Sequence, residues 1–192
     1  MTEKSLNRIK KLLTALVLAG LAAVLVAINL RGAAEPGPEA DGLYFQDMRL
    51  ETFAGGTFTA ADLRKNRVTV FVVWNPYCTA CIREMPMLAE LDAEYAPKGV
   101  RIIGIEGDAY QYPEDVEKAR AIAAEFGGGS VQLLADAAFT EEVLPLLHNG
   151  YPGVFVVDSR GVIREFRAGS MNEAEWRDCL DTALLLTVNT AE

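Results

Sequence analysis

The stretch "RVTVFVVW", Arg67–Trp74, is β-branched and apolar nearly throughout. Such a run predicts a central strand covered on both faces, and therefore a sheet sandwiched between helices. After three intervening residues come two cysteines, Cys78 and Cys81, and then a different rhythm. Ile82, Met85, Leu88, Leu91 and Tyr95 recur at helical spacing, so Cys81–Tyr95 reads as an amphipathic helix, stopped near Pro97-Lys98-Gly99. The cysteine pair thus falls where a buried strand hands over to a helix.

The flanking segments extend this pattern. "YFQDMRLETFAGGTFTAADL" alternates apolar positions around Gly55-Gly56 and predicts a β-hairpin. "VRIIGIEG" is a second buried strand. "PEDVEKARAIAAEF" is a helix with Val116, Ala119, Ile122 and Phe126 on one face, broken by three glycines. "SVQLLAD" predicts a short strand and "TEEVLPLL" a short helix. Strands Val154–Val157 and Val162–Phe166 are joined by a turn at Asp158–Gly161 and must pair antiparallel. A last helix begins at the capping residue Asn172. The order predicts an α/β fold: a mixed central sheet, parallel at the front, antiparallel at the back, with helices on both faces.

Ahead of this domain, Leu12–Leu30 holds 19 residues without a charge. As a helix it reaches about 28 Å, close to the hydrocarbon thickness of a bilayer. A cleaved signal peptide is the alternative. The run is longer than the usual signal core, and Arg31 interrupts the approach to the small residues that follow. The expectation is an uncleaved single-pass anchor at 12–30, preceded by a cytoplasmic basic segment at 1–11. A flexible Pro/Gly-rich linker follows at 31–42, then a folded domain at 43–192. Residues 1–31 carry five basic side chains against Glu3 alone, and acidic residues follow the span. That asymmetry places the domain on the extracytoplasmic side of a cell membrane. The whole chain is −9, so residues 32–192 carry −13, a balance that repels phosphate backbones and argues against nucleic-acid binding.

The C-x-x-C pair has three uses. A zinc site needs two further ligands, and only Cys179 and the lone His148 remain, in different elements; no metal is expected. A structural disulfide closing so short a loop constrains the unfolded chain little. A redox dithiol fits the context. Backbone N–H groups at a helix N-terminus are unpartnered and favour a thiolate on Cys78. Cys81, one turn further in, is placed to resolve a mixed disulfide.

"VVWNPYCTACIREMP" resembles the active-site segment of thioredoxin-like proteins, and most closely the TlpA/ResA-like membrane-anchored thiol–disulfide oxidoreductases. "GYPGVFVVDSRGVI" is similar to the cis-proline segment of that family, and "EYAPKGVRIIGIEGD" to its second strand. The resemblance covers roughly residues 43–186. It implies a thioredoxin-like three-layer fold with an N-terminal hairpin extension, Cys78 as attacking and Cys81 as resolving sulfur, and a redox disulfide between them. Glu84 becomes a proton acceptor for Cys81, which requires a carboxyl raised by burial. Pro152 takes the cis-proline position. Trp74, Tyr77, Tyr151 and Pro152 surround the substrate, and Pro86 kinks the helix.

This chain departs from the family around Asn75, Pro76, Tyr77 and Thr79, and in the bulky Tyr151. Val72 stands where many thioredoxins hold a buried acid. Cys179 reads as a buried structural thiol, His148 as a loop histidine, and the carboxylates of "EDVEK" and "TEEV" as solvated helix faces. The expected function is reduction of protein disulfides, with cytochrome c maturation as one client pathway. A membrane thiol carrier would be the reductant, and no cofactor is needed. The alternatives are a peroxide-reducing redoxin and a non-catalytic binding module.

Overall fold

A computed structural model of the chain describes residues 44–148 and 150–188. The segments read as basic tail, membrane span and linker lie outside the described residues. Among the described residues no helix is long and apolar enough to cross a membrane.

The central strand is β3, Val68–Trp74, and all seven of its residues are buried. Val68, Val70 and Val72 point to one face of the sheet, and Phe71 and Val73 to the other. β4 (Val100–Glu106) runs parallel to β3, from Val68 opposite Val100 to Trp74 opposite Glu106. β6 (Gly153–Asp158) lies antiparallel on the other side. With β1 (Arg49–Thr52), β2 (Thr57–Thr59), β5 (Gln132–Leu134) and β7 (Ile163–Ala168), the sheet has seven strands in the order β2-β1-β5-β4-β3-β6-β7. The hairpin β1–β2 forms as expected, with Leu50 opposite Phe58. It also pairs antiparallel with β5, so it widens the main sheet instead of standing apart.

Helices α3 (Thr79–Tyr95), α4 (Val116–Phe126) and α6 (Glu173–Val188) supply the first face. There Leu88, Leu91 and Tyr95 meet Trp176 and Leu180 over the β3 valines. The second face is covered by short helices: α1 (Tyr44–Asp47), α2 (Ala60–Leu63) and α5 (Ala137–Glu142). Phe45 of α1 stacks on Phe71 with ring centroids 5.0 Å apart. Neither α1 nor α2 is visible as periodicity, because four residues complete barely one turn.

Local chemistry explains the boundaries. Asn172 and Glu175 form a capping box ahead of α6: each side chain accepts the other's backbone N–H, at 3.1 and 2.7 Å. Asp158 closes the β6–β7 turn by accepting from the backbone of Arg160 and Val162. Gly161 in that turn has φ +82°, and a Cβ there would stand 2.6 Å from the Phe45 carbonyl. Two expectations shift. α3 begins at Thr79, two residues early, because Cys78 itself caps it, and it continues past the exposed Pro86 to Tyr95. Phe126 stays 36% exposed at the end of α4, where Ala119 and Ala123 supply the buried contacts.

Candidate active site

The strand end, the turn and the helix start work as one device. Asn75 makes an Asx turn: its Oδ1 accepts from the Tyr77 N–H at 3.0 Å and its carbonyl from the Cys78 N–H at 3.1 Å. Cys78 thereby arrives at the N-cap of α3. Its sulfur accepts from the Cys81 N–H at 3.2 Å, the role a serine or aspartate plays at other helix starts. Cys78 and Cys81 are joined by a disulfide. Cys81 is buried and Cys78 half-buried, which leaves Cys78 as the sulfur that an incoming group meets.

Trp74 lies under the pair. It is buried with Cys81, Met85, Ala119 and Ala123, and Cys78 and Tyr151 pack on this cluster. Its indole N–H donates to Gln132 Oε1 at 2.9 Å, and the Gln132 amide donates to Ser130 Oγ at 2.9 Å. Cys81, Trp74, Gln132 and Ser130 line one small cavity between the sheet and α3.

On the open side, the Tyr151–Pro152 peptide is cis and Pro152 is buried, its carbonyl accepting from Gly169 N–H at 2.8 Å. The Tyr151 hydroxyl donates to Asp108 Oδ1. Tyr77 forms the rim, 63% exposed, with its hydroxyl 2.7 Å from Asp115 and the Lys118 ammonium 3.5 Å from its ring centre. Asp115 is thus tied to the site and is not the free helix-face carboxylate its setting in "EDVEK" implies. Glu141 and Glu142 of "TEEV" are exposed, and so is His148.

Glu84 is buried and burial pushes its carboxyl up, against the pull of two donors. Those donors are the Met171 N–H at 3.0 Å and the Trp176 indole N–H at 3.2 Å. Both oxygens are therefore engaged by the start of α6. Cys179 is buried in α6 and desolvation lifts its thiol to about 11, an inert setting.

Three residues escaped the sequence reading. Glu106, at the end of the buried strand β4, is 1% exposed; its Oε1 accepts from Asp108 N–H and its Oε2 has no partner among the described residues. Desolvation pushes it up to about 7. Asp108 and Gln132 are the others. The available signal was an acid closing an otherwise apolar strand, in "GIEGD".

The AhpC/TSA family matches residues 42–166, which span the sheet from before β1 into β7 and include the cysteine pair and the cis proline. The chain belongs to the AhpC/TSA family. Among curated relatives of this redoxin, the thiol:disulfide interchange protein DsbE of Pseudomonas fluorescens is 34% identical over 79% of this chain and 79% of its own length. DsbE of Escherichia coli is 30% identical over 68% of this chain and 66% of its own. A solved structure of MTB DsbF superposes with a TM-score of 0.57 at 20% identity, covering 72% of this chain and 96% of that one, a likeness of fold. The kinship and the disulfide-bonded Cys78–Cys81 pair make this redoxin a thiol–disulfide oxidoreductase with a thioredoxin-like fold.

Proposed function

We propose that the chain is a membrane-tethered thiol–disulfide oxidoreductase that reduces protein disulfides outside the cytoplasm. The observation that carries the reading is the asymmetry of the pair: Cys78 caps α3 half-exposed beside the cis Tyr151–Pro152 peptide, while Cys81 is buried behind it.

The reaction follows from that asymmetry. In the reduced chain, the Cys78 thiolate attacks one sulfur of a substrate disulfide. An S–S bond forms between Cys78 and substrate, and the other substrate sulfur leaves as a thiolate and takes a proton. Cys81, deprotonated, then attacks Cys78. The second substrate thiol leaves, and the Cys78–Cys81 disulfide seen here remains. Two electrons have passed to the substrate. A dithiol carrier in the membrane returns them by the same exchange in reverse.

The uncharged run at 12–30, with basic residues before it and acidic ones after, supports the tether and its orientation. Trp74 supports the pair from beneath. Tyr77, Tyr151 and Pro152 form the face that a substrate polypeptide meets, and Glu84 tunes the resolving step. Apocytochrome c cysteines are one client class for such a reductant.

Two measurements test this reading. Protease added to intact spheroplasts digests the domain if it lies outside; a protected domain contradicts the orientation. The reduced chain cleaves a protein disulfide while Cys78→Ser does not; equal rates contradict the chemistry.

A further inference from the structure

Asn75, three residues before the cysteine pair, and Tyr151, just before the cis proline, meet at one carboxylate. Asp108, in the loop after β4, accepts from the Asn75 amide through Oδ2 at 2.9 Å and from the Tyr151 hydroxyl through Oδ1. Asn75 belongs to the turn that delivers Cys78, and Tyr151 immediately precedes the cis proline. One side chain therefore joins both segments that flank the reactive sulfur.

The bond to Asn75 has a direction that matters. The Asn75 amide donates to Asp108 and accepts from the Tyr77 N–H at 3.0 Å. Reversing it would set an amide oxygen against a carboxylate and an NH2 group against an N–H. Asp108 thus holds the amide in the one sense that closes the turn ahead of Cys78. The Tyr151 end is equally specific. A Cβ at Gly107 would stand 2.8 Å from the Tyr151 hydroxyl and 2.9 Å from Val73 Cγ1, so glycine there lets the phenol lie across the end of β4 and reach Asp108. Gly107 N–H in turn donates to the Trp74 carbonyl at 2.8 Å, which ties the same loop to β3.

We propose that Asp108 is a positioning residue that fixes the spacing between the Cys78 turn and the Tyr151–Pro152 segment before a polypeptide substrate arrives. This rests on the reading of the chain as a reductant of protein disulfides. A substrate chain lying between the two walls meets them already set, so less conformational freedom is lost on binding. A small aromatic disulfide reaches Cys78 without needing both walls.

The test compares two substrates on one set of reduced enzymes: a peptide disulfide and a small aromatic disulfide. Asp108→Ala is expected to raise KM for the peptide about tenfold with kcat within twofold, and to leave the rate with the small disulfide within twofold. Tyr151→Phe, which deletes one hydroxyl, raises the peptide KM by a smaller factor. Combining it with Asp108→Ala adds nothing further. If Asp108→Ala does not fold, the peptide KM of Tyr151→Phe carries the test alone, and an unchanged value overturns the proposal. Equal losses on both substrates overturn it too, because Asp108 would then serve only the stability of the site. So does additivity in the double variant. A wild type that cleaves the small disulfide but no peptide disulfide instead contradicts the parent reading.

Discussion

Gln132 lies over Gly104: a Cβ at that glycine would stand 1.8 Å from Gln132 Oε1, the oxygen that accepts from the Trp74 indole at 2.9 Å. The two strands are neighbours, with Gly104 opposite Gln132 in the β4–β5 ladder. An absent side chain on β4 is thus the room in which a polar one on β5 holds the tryptophan under Cys81. Gly104→Ala should destabilise the fold by about 1–3 kcal/mol through overpacking. Gln132→Ala should cost about 1–3 kcal/mol by stranding the indole N–H. Chemical denaturation of both variants and of the double checks this. The double should cost less than the sum, since the alanine at 132 removes the collision.

Glu106 predicts a pH dependence of stability. Burial holds its carboxyl up at about 7 against 4.5 for the exposed side chain; the Asp108 N–H pulls it down, and the charges of Asp108 and Asp115 push it back up. Between those values the folded chain keeps a proton that the unfolded chain has lost. Stability from this group is therefore full below about pH 4.5, falls as pH rises across the window, and levels off above about pH 7. Glu106→Gln removes the titration. Its stability at pH 8 should exceed that of the wild type by about 1–2 kcal/mol, with a flatter profile from pH 5 to 7. Denaturant midpoints across that range decide it; parallel profiles would show that Glu106 does not titrate there.

Glu84 separates structure from proton transfer. Its two donors favour the carboxylate, while burial opposes it. Trp176→Phe removes one donor, so the Glu84 carboxyl should titrate at higher pH and carry the acid limb of the exchange-rate profile upward with it. Glu84→Gln should abolish that limb. An unaltered profile in Glu84→Gln would take this residue out of the resolving step and leave it as the tie between α3 and α6. Glu84→Ala should also cost about 1–3 kcal/mol, since the Met171 and Trp176 N–H groups lose their acceptor.

The order of the main elements was legible because they carry their own local rhythm: apolar runs in β3, β4 and β6, and a helical stripe in α3. The cysteine pair was legible for the same reason, since strand end, C-x-x-C and helix start are contiguous. What was not legible is contact between segments without periodicity. The bonds from Asp108 to Asn75 and Tyr151 span 33 and 43 residues. Gln132 reaches Trp74 across 58. No spacing rule announces such pairs, and Asp115 read as solvated because its partner Tyr77 lies 38 residues away. Glu106 was hidden differently: a single acid inside an apolar strand was absorbed into the strand.

The central claim is that Cys78 attacks and Cys81 resolves. Cys81→Ala leaves the attacking sulfur and removes the resolving one, so mixed disulfides should accumulate when the variant is expressed in its host. Mass spectrometry of the trapped species measures this directly. Adducts to client polypeptides joined at Cys78, absent from Cys78→Ser and reversed by reductant, are the expected result. No adduct at Cys78 under oxidising or reducing growth, with the variant folded and present, would contradict the account.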